Sequence, residues 1–274
     1  MEITKLGHRV DYKSNYDPTQ LEFFPRSTRR VGYVAPMNGG DIWTCFEVSF
    51  LDSKGVPEYH ILRIWNPASS ENIFESKSLK LYLNSFNNTK FSGIEEVIYL
   101  IQKDLSEGTK GQVLVRRMNQ FDSPSGVTQF NIDSYSKKIE SGVEYTYNPK
   151  LLKAEPSETK IHRTISSNLL RSNCEVTGQP DWGTVTVSYS SKSLLDIISF
   201  LRYIISFRNH QEFHEPTCER IYNDLFVLLQ PEELTVVCQY TRRGGIDINP
   251  IRTTASIEKK DFSDFFTIPK LLQQ

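Results

Sequence analysis

The chain has 274 residues, 32 Lys+Arg against 33 Asp+Glu and 38% hydrophobic residues, enough for one large domain or two small ones with a core that needs no staples. A formal charge of −1 excludes the strong basic excess of a nucleic-acid coat and the acidic bias of a disordered solvating chain, so no direct nucleic-acid partner is expected. The most apolar stretch, residues 194–205, is broken by Asp196 and Arg202, whereas a membrane-spanning helix needs about 20 predominantly apolar residues.

The first eight residues, Met-Glu-Ile-Thr-Lys-Leu-Gly-His, lack a basic segment ahead of an apolar one. No cleaved secretion signal is expected, and the chain is assigned to the cytoplasm. Alternation over residues 44–50 puts Phe46, Val48 and Phe50 on one strand face, and residues 58–65 read as a second strand, together a hairpin. Two helices follow. One covers residues 76–86; the other is marked by Ile94, Val97, Ile98, Ile101 and Leu105. Ser92-Gly93-Ile94-Glu95 predicts a capping box that starts the second helix, and Gly108 and Gly111 are expected to stop it. Residues 112–116 then resume a period of two.

The same order recurs in the second half: an extended run from Ile161, a strand over 182–189, a helix over 193–207, a helix from Pro216 and a strand over 234–240. This predicts a duplication. Its written trace is Ser76-Lys77-Ser78-Leu79 returning as Ser191-Lys192-Ser193-Leu194, with Arg-Arg after the late strand at 116–117 and again at 242–243. Each unit is read as β-β-α-α-β with a last strand, at residues 129–134 and 246–254. Residues 140–160 carry Gly142, Pro149 and Pro156 with little periodicity and read as a surface connector. A boundary near residue 155 divides the chain into units 1–155 and 156–274. Helices inserted between antiparallel strands predict an α+β fold with the helices on one face of a sheet.

Four cysteines at 45, 174, 218 and 238 are too few and scattered for a disulfide scaffold, and no Cys-x-x-Cys pair suggests zinc, so no metal is expected. Cys174 lies in a polar, turn-rich segment, residues 172–183, where a thiolate could reach an electrophile and Asp181 could return to the same pocket. The alternative is a small buried cysteine and an aspartate that merely forms a turn after Pro180. In His210-Gln211-Glu212-Phe213-His214-Glu215-Pro216, Gln211 stands where a zincin needs Glu, and Pro216 begins a new helix, so a metalloprotease is rejected. Glu215 is then either a helix-start charge or an anchor for the N–H donors of a ligand. Residues 74–82 gather Glu75, Ser76, Lys77, Ser78 and Lys80 at a helix start, a place that suits phosphate or, equally, a solvated capped face. Thr241-Arg242-Arg243-Gly244-Gly245 is a basic turn open to the same two readings. Neither a G-x-G-x-x-G nor a G-x-x-x-x-G-K-[ST] segment occurs, which disfavours Rossmann and P-loop enzymes.

Taken together, Glu75-Ser76-Lys77-Ser78-Leu79-Lys80-Leu81-Tyr82, Asn173-Cys174 with Gln179-Pro180-Asp181-Trp182-Gly183, and Phe213-His214-Glu215 resemble the NADPH-dependent 7-cyano-7-deazaguanine reductases, the QueF family, in its long two-module form. The resemblance covers nearly the whole chain. It implies two tandem tunnelling-fold (T-fold) modules and a homodimer. It also implies reduction of the nitrile of 7-cyano-7-deazaguanine (preQ0) to the aminomethyl group of preQ1, a step toward the tRNA base queuosine, using two NADPH per turnover. On this matching Cys174 is the nucleophile that forms a thioimide, Asp181 the general acid and His214 a proton relay. Glu215 anchors the purine-like base, with Glu75, Ser76 and His214 near it. Lys77, Ser78, Arg242, Arg243 and Gly244 are assigned to the NADPH phosphates and ribose. Glu175 places an acid where family members often carry Pro or an apolar residue, and its side chain is expected to point to solvent. Two alternatives remain: a GTP cyclohydrolase-like enzyme of the same fold, working through a metal-activated water, and a non-catalytic purine- or pterin-binding module.

Overall fold

The computed structural model describes residues 13–118, 130–141, 143–256 and 274. The first half contains β1 (Phe23–Pro25), β2 (Asn38–Leu51), β3 (Pro57–Pro67), β4 (Asn72–Phe74), α1 (Ser76–Asn84), α2 (Ile94–Thr109) and β5 (Leu114–Arg117). The second contains β6 (Phe130–Asn131), β7 (Ala154–Asn173), β8 (Pro180–Leu195), α3 (Ile197–Ser206), α4 (His214–Leu229), β9 (Glu233–Tyr240) and β10 (Ile246–Thr253). This is the mixed α+β fold expected. β1 and β4 form a small ribbon, and the other strands make one sheet in the order β5-β3-β2-β10-β9-β8-β7-β6. Every pairing in it is antiparallel except that of β6 with β7.

The sheet is continuous because β10 closes the gap between the halves: Ile248 pairs with Trp43 of β2, and Ile251 with Val237 of β9. Two large hydrophobic clusters lie along it, with a small third formed by Ile42, Trp65 and Ile251. One packs Leu79, Tyr82, Val97 and Ile101 of α1 and α2 on Trp43, Leu62 and Ile64; the other packs Phe200, Ile204, Ile221 and Leu225 of α3 and α4 on Val185, Val187 and Val236. Ile246 and Ile248 belong to the first cluster although they come from the last strand. No helix among the described residues is long and apolar enough to cross a membrane, which says nothing about β-barrels.

Internal repetition is written in polar contacts that the sequence pattern did not single out. Tyr16 and Tyr82 both donate to Asp104 Oδ2 at 2.6 Å, as Tyr147 and Tyr203 do to Asp224 Oδ2 at 2.7 and 2.6 Å. Glu75 caps α1 and Asp196 caps α3. Three residues on, the hydroxyls of Ser78 and Ser199 donate back to the carbonyls of those caps. Asp17 and Asn148 each cap a 3-10 turn that begins with proline, and their amides donate to Ser85 and Ser206. The two Ser-Lys-Ser-Leu segments are therefore not equivalent. The first opens α1, while the second is extended within β8, whose strand runs to Leu195 before Asp196 starts the helix.

The same observation corrects the connector. Tyr147, Leu151 and Ala154 pack on the second core, so residues 147–154 repeat the Tyr16-Asp17-Pro18 entry rather than cross open surface. Nor does the segment predicted as strand 129–134 complete the first unit. Phe130 and Asn131 pair in parallel with β7 at the opposite edge, Asp133–Lys138 forms a 3-10 turn, and Gln129 lies outside the described residues.

Three local expectations also change. A bulge in β2 pairs Cys45 with Leu62 but Val48 with His60. The extra residue reverses the alternation: Cys45, Val48 and Phe50 are fully buried, while Phe46 is left half-buried under the Arg242 guanidinium, 4.5 Å from its ring centre. At α2, Gly93 rather than Ser92 is the cap, and it is Glu96 that accepts from the Ser92 amide and hydroxyl. Gly108 does not end α2. Lys110 does, in the left-handed conformation at φ 53°, repeated by Gln230 at φ 44° after α4. Gly108 is small because a Cβ there would lie 1.9 Å from Phe23 Cζ.

Gly108→Ala therefore opposes two effects, a helix-propensity gain of about 1 kcal/mol and an overpacking cost of about 1–3 kcal/mol. Net destabilisation is expected in urea unfolding; a variant more stable than the parent would show that Phe23 does not hold that position.

Candidate active site

A cleft of about 250 Å³ opens where the two halves meet beside β10, just below the usual size of ligand pockets. Trp43, Phe74, Phe213, Ile246 and Ile248 supply apolar wall, and Cys174, Asp181, His214, Glu215, Glu75, Ser76, Lys77, Arg243 and Gly244 all contribute to its lining. Most of the residues proposed from sequence are thus gathered in one place. Two are not among the lining residues. Ser78 is buried on α1 itself, accepting from the Glu22 amide and donating to the Glu75 carbonyl, and Arg242 lies over Phe46.

Strand register brings the thiol and the acid together. Ser172 pairs with Asp181 and Asn173 with Pro180, so Cys174, two residues past Ser172, projects to the same face of the β7–β8 hairpin as Asp181. The turn is closed by Cys174 N–H donating to the Gln179 carbonyl at 2.8 Å and Gly178 N–H donating to the Cys174 carbonyl at 2.9 Å. Gly178 has φ +66°, a conformation that favours glycine. Cys174 is half-buried, whereas Cys45, Cys218 and Cys238 are buried. The end of β7 also fixes the segment leading into α4: the Asn173 amide donates to the His210 carbonyl at 2.8 Å, and the Glu212 amide to the Asn173 carbonyl at 3.2 Å.

Asp181 is buried and held at both oxygens, Oδ1 by Arg243 Nη1 and Oδ2 by His214 Nε2 at 3.2 Å. The His214 ring stacks on Tyr240, with centroids 3.8 Å apart and planes 7° apart. Its Nδ1 has no hydrogen-bond partner among the described residues, and the same holds for the buried indole N–H of Trp43. Glu75 spends its carboxylate on α1, accepting from the amides of Lys77 at 2.8 Å and Ser78 at 2.7 Å. The helix-start amides that could have met a phosphate are taken by the protein's own cap, and the cations Lys77, Lys80 and Arg243 are in the cleft lining, Arg243 paired with Asp181 and Lys80 with Glu47 at 3.3 Å. Lys80 donates to the Gly244 carbonyl at 2.9 Å, tying α1 to the 241–245 turn.

Glu212 lines the cleft too, a role that its place in the 210–216 string did not announce. Burial would raise its pKa, but hydrogen bonds from His210 and Arg220 outweigh this and lower it. Behind the cleft lies a buried group that local patterns do not reveal. Glu219, one helical turn after Glu215, accepts from Arg252 Nη2 and Arg30 Nη2, both at 2.6 Å, and Arg26 Nη1 lies at 3.4 Å. Asp41 takes Arg26 at 2.5 Å and Arg252 at 2.8 Å. Burial acts to raise the Glu219 pKa, but Arg252, Arg30 and Arg26 overturn it and bring it down to about 2. Glu215, on the same helix face, has the opposite outcome: burial and then the Asp41 charge push it up to about 8, against weaker opposition from Arg26 and Arg252. Among the described residues no group of three or more His, Cys, Asp and Glu has a metal-binding arrangement.

Residues 12–117 match the family described as nitrile reductase, 7-cyano-7-deazaguanine-reductase N-term, and residues 180–259 match the family described as QueF-like protein. These matches place the chain in the oxidoreductase class, among nitrile reductases. It belongs to the QueF family, with both modules present. Glu75 falls in the first matched segment, Asp181, His214 and Glu215 in the second, and Cys174 between them. A crystal structure of the archaeosine synthase QueF-Like in the apo form aligns over 37% of this chain and 99% of its own, at 16% identity and a TM-score of 0.33.

The Glu215 shift carries a pH dependence of stability. An acid whose pKa is near 4.5 unfolded and about 8 folded keeps its proton only in the native state between those values, so stability falls as pH rises across that window. The expected decline is a few kcal/mol between pH 5 and 8. Denaturant unfolding of Glu215→Gln should show a flatter profile there, and an unchanged slope would rule out Glu215 as its source.

Proposed function

We propose that this chain reduces the nitrile of preQ0 to the aminomethyl group of preQ1 with two NADPH, through a covalent thioimide on Cys174. The observation that carries the reading is the convergence of Cys174, Asp181, His214 and Glu215 on one narrow cleft with aromatic walls, in a chain of the nitrile-reductase family.

The chemistry follows from the placement of groups. A nitrile carbon is a soft electrophile suited to a thiolate. The Cys174 sulfur bonds to that carbon as its proton passes to Asp181, and Asp181 delivers a proton to the nitrile nitrogen, giving a neutral thioimide. His214 on Asp181 Oδ2 relays protons to and from the carboxyl group, while Arg243 on Oδ1 fixes its orientation. Glu215 receives the N–H edge of the base, which draws out its ionised form in exchange for the proton it holds when free. Trp43 and Phe213 supply aromatic wall for a bicyclic base, and the indole N–H of Trp43 and His214 Nδ1 are buried without a partner among the described residues.

The cleft suits a phosphorylated nucleotide: Lys77, Lys80 and Arg243 are cations in its lining, and Lys80 bonds to the Gly244 carbonyl of the 241–245 turn. Ser78 and Arg242 are left out of this set because neither lines the cleft. Bound NADPH would supply the two hydrides that a four-electron reduction requires. With two further protons the C–S bond breaks, Cys174 is regenerated and the amine leaves. The two halves are assigned to two tandem T-fold modules, with the boundary moved from residue 155 to ahead of Phe130 because Phe130 and Asn131 pair with β7 and Tyr147, Leu151 and Ala154 pack on the second core, and the active form is assigned to a homodimer.

The assay is preQ0-dependent loss of NADPH absorbance, with two NADPH consumed per nitrile and no turnover by Cys174→Ala; full activity in that variant would overturn covalent catalysis. Mass spectrometry of the protein with preQ0 alone should show an adduct on Cys174, and tight reversible binding without one would favour a binding module. Asp181→Asn should retain binding but slow turnover by about 10²–10⁴-fold. Glu215→Ala should weaken binding by about 1–3 kcal/mol.

A further inference from the structure

Glu175 directly follows Cys174, and it does not simply face solvent. Its side chain is 38% exposed, and both carboxylate oxygens accept from Arg29 Nη2 at 2.8 Å. Arg29 lies 146 residues upstream, at the end of the 3-10 turn Ser27–Arg29. Its guanidinium carbon sits 5.1 Å from the ring centre of Phe213 and 6.0 Å from that of Phe24, and the two rings are 5.6 Å apart. One side chain thus holds the residue after the thiol and covers the residue before His214 and Glu215.

The pairing completes a pattern around the thiol. Asp181 carries Arg243 and His214, Glu212 carries Arg220 and His210, and Glu75 is satisfied by helix amides. Without Arg29, Glu175 would be an uncompensated anion on the residue next to Cys174. Such an anion disfavours a thiolate and slows its attack. A half-exposed ion pair adds little to folding stability, so the consequence of this one lies in where it stands.

We propose that Arg29 is a positioning residue for Cys174: it neutralises Glu175 and holds the 174–178 turn against Phe213, so that an acidic side chain can stand beside the thiol without suppressing its reactivity. The inference rests on the nucleophile role given to Cys174 above.

Alkylation by iodoacetamide at pH 7, followed by peptide mass spectrometry, reads Cys174 without substrate or cofactor; the other three cysteines are buried. Arg29→Gln keeps a polar side chain but removes the charge, and should slow alkylation of Cys174 on the order of threefold. Arg29→Gln combined with Glu175→Gln should return the rate to that of the parent, since no anion is left to neutralise. An unchanged rate in the single variant, or a double variant as slow as the single, would overturn the proposal, the latter pointing to packing alone. Failure of preQ0 to form an adduct with the parent protein would instead sink the nitrile chemistry while leaving these alkylation rates as they are.

Discussion

The arginine cage around Glu219 is the constraint on which the rest of the molecule depends. Arg26 and Arg30 come from the segment before β2, Asp41 from β2, Arg252 from β10 and Glu219 from α4. The fully buried Arg252 and the nearly buried Arg26 are tolerable only because carboxylates meet them at hydrogen-bond distance. Removing one partner from such a set typically costs about 3–5 kcal/mol, because it strands the other charge. Segments far apart in sequence are thereby fixed to one another, and the N-terminal turn of α4 is fixed with them.

This arrangement also sets the chemistry of the cleft. Three guanidiniums face two carboxylates behind it, and Glu215, a single turn before Glu219, lies in the same field. Glu219 takes the cations directly and is ionised; Glu215 is buried beside Asp41 and retains a proton. Two acids on one face of one helix are driven apart by their surroundings. One serves cohesion, and the other is left to respond to a ligand. Asp181, clamped by Arg243 and His214, is a third case, in which rigid orientation is bought by hydrogen bonds at both oxygens.

Much of the fold was legible. Hydrophobic periodicity located β2, β3, α2, β8 and β9, because period 2 and period 3.6 are direct consequences of burial on one face. The duplication was legible as an element order, but its markers were misread. A matching tetrapeptide at 76–79 and 191–194 fell in a helix start and in a strand, while the true equivalents, Tyr16 with Tyr147 and Asp104 with Asp224, are isolated residues whose likeness appears only when their hydroxyl–carboxylate bonds are seen. The β2 bulge was likewise hidden, since one inserted residue leaves composition untouched and exchanges Cys45 for Phe46 on the inner face. Of the site, Cys174, Asp181, His214 and Glu215 were marked by turn residues and by family motifs. Glu212 was passed over although its partners His210 and Arg220 are near in sequence; Trp43, Arg29 and the arginine cage carried no local signal, because the residues they meet lie far away in sequence.

By itself, the sequence determined the element types, the doubled order and the short motifs that carry reactive groups, all of which depend on neighbours within a few residues. Tertiary structure alone decided that β10 would join the halves into one sheet, which acids would be ionised, and that a residue near the N-terminus would neutralise the acid beside the thiol. Those outcomes depend on desolvation and on charges meeting across the fold, and neither exists until the chain has closed upon itself.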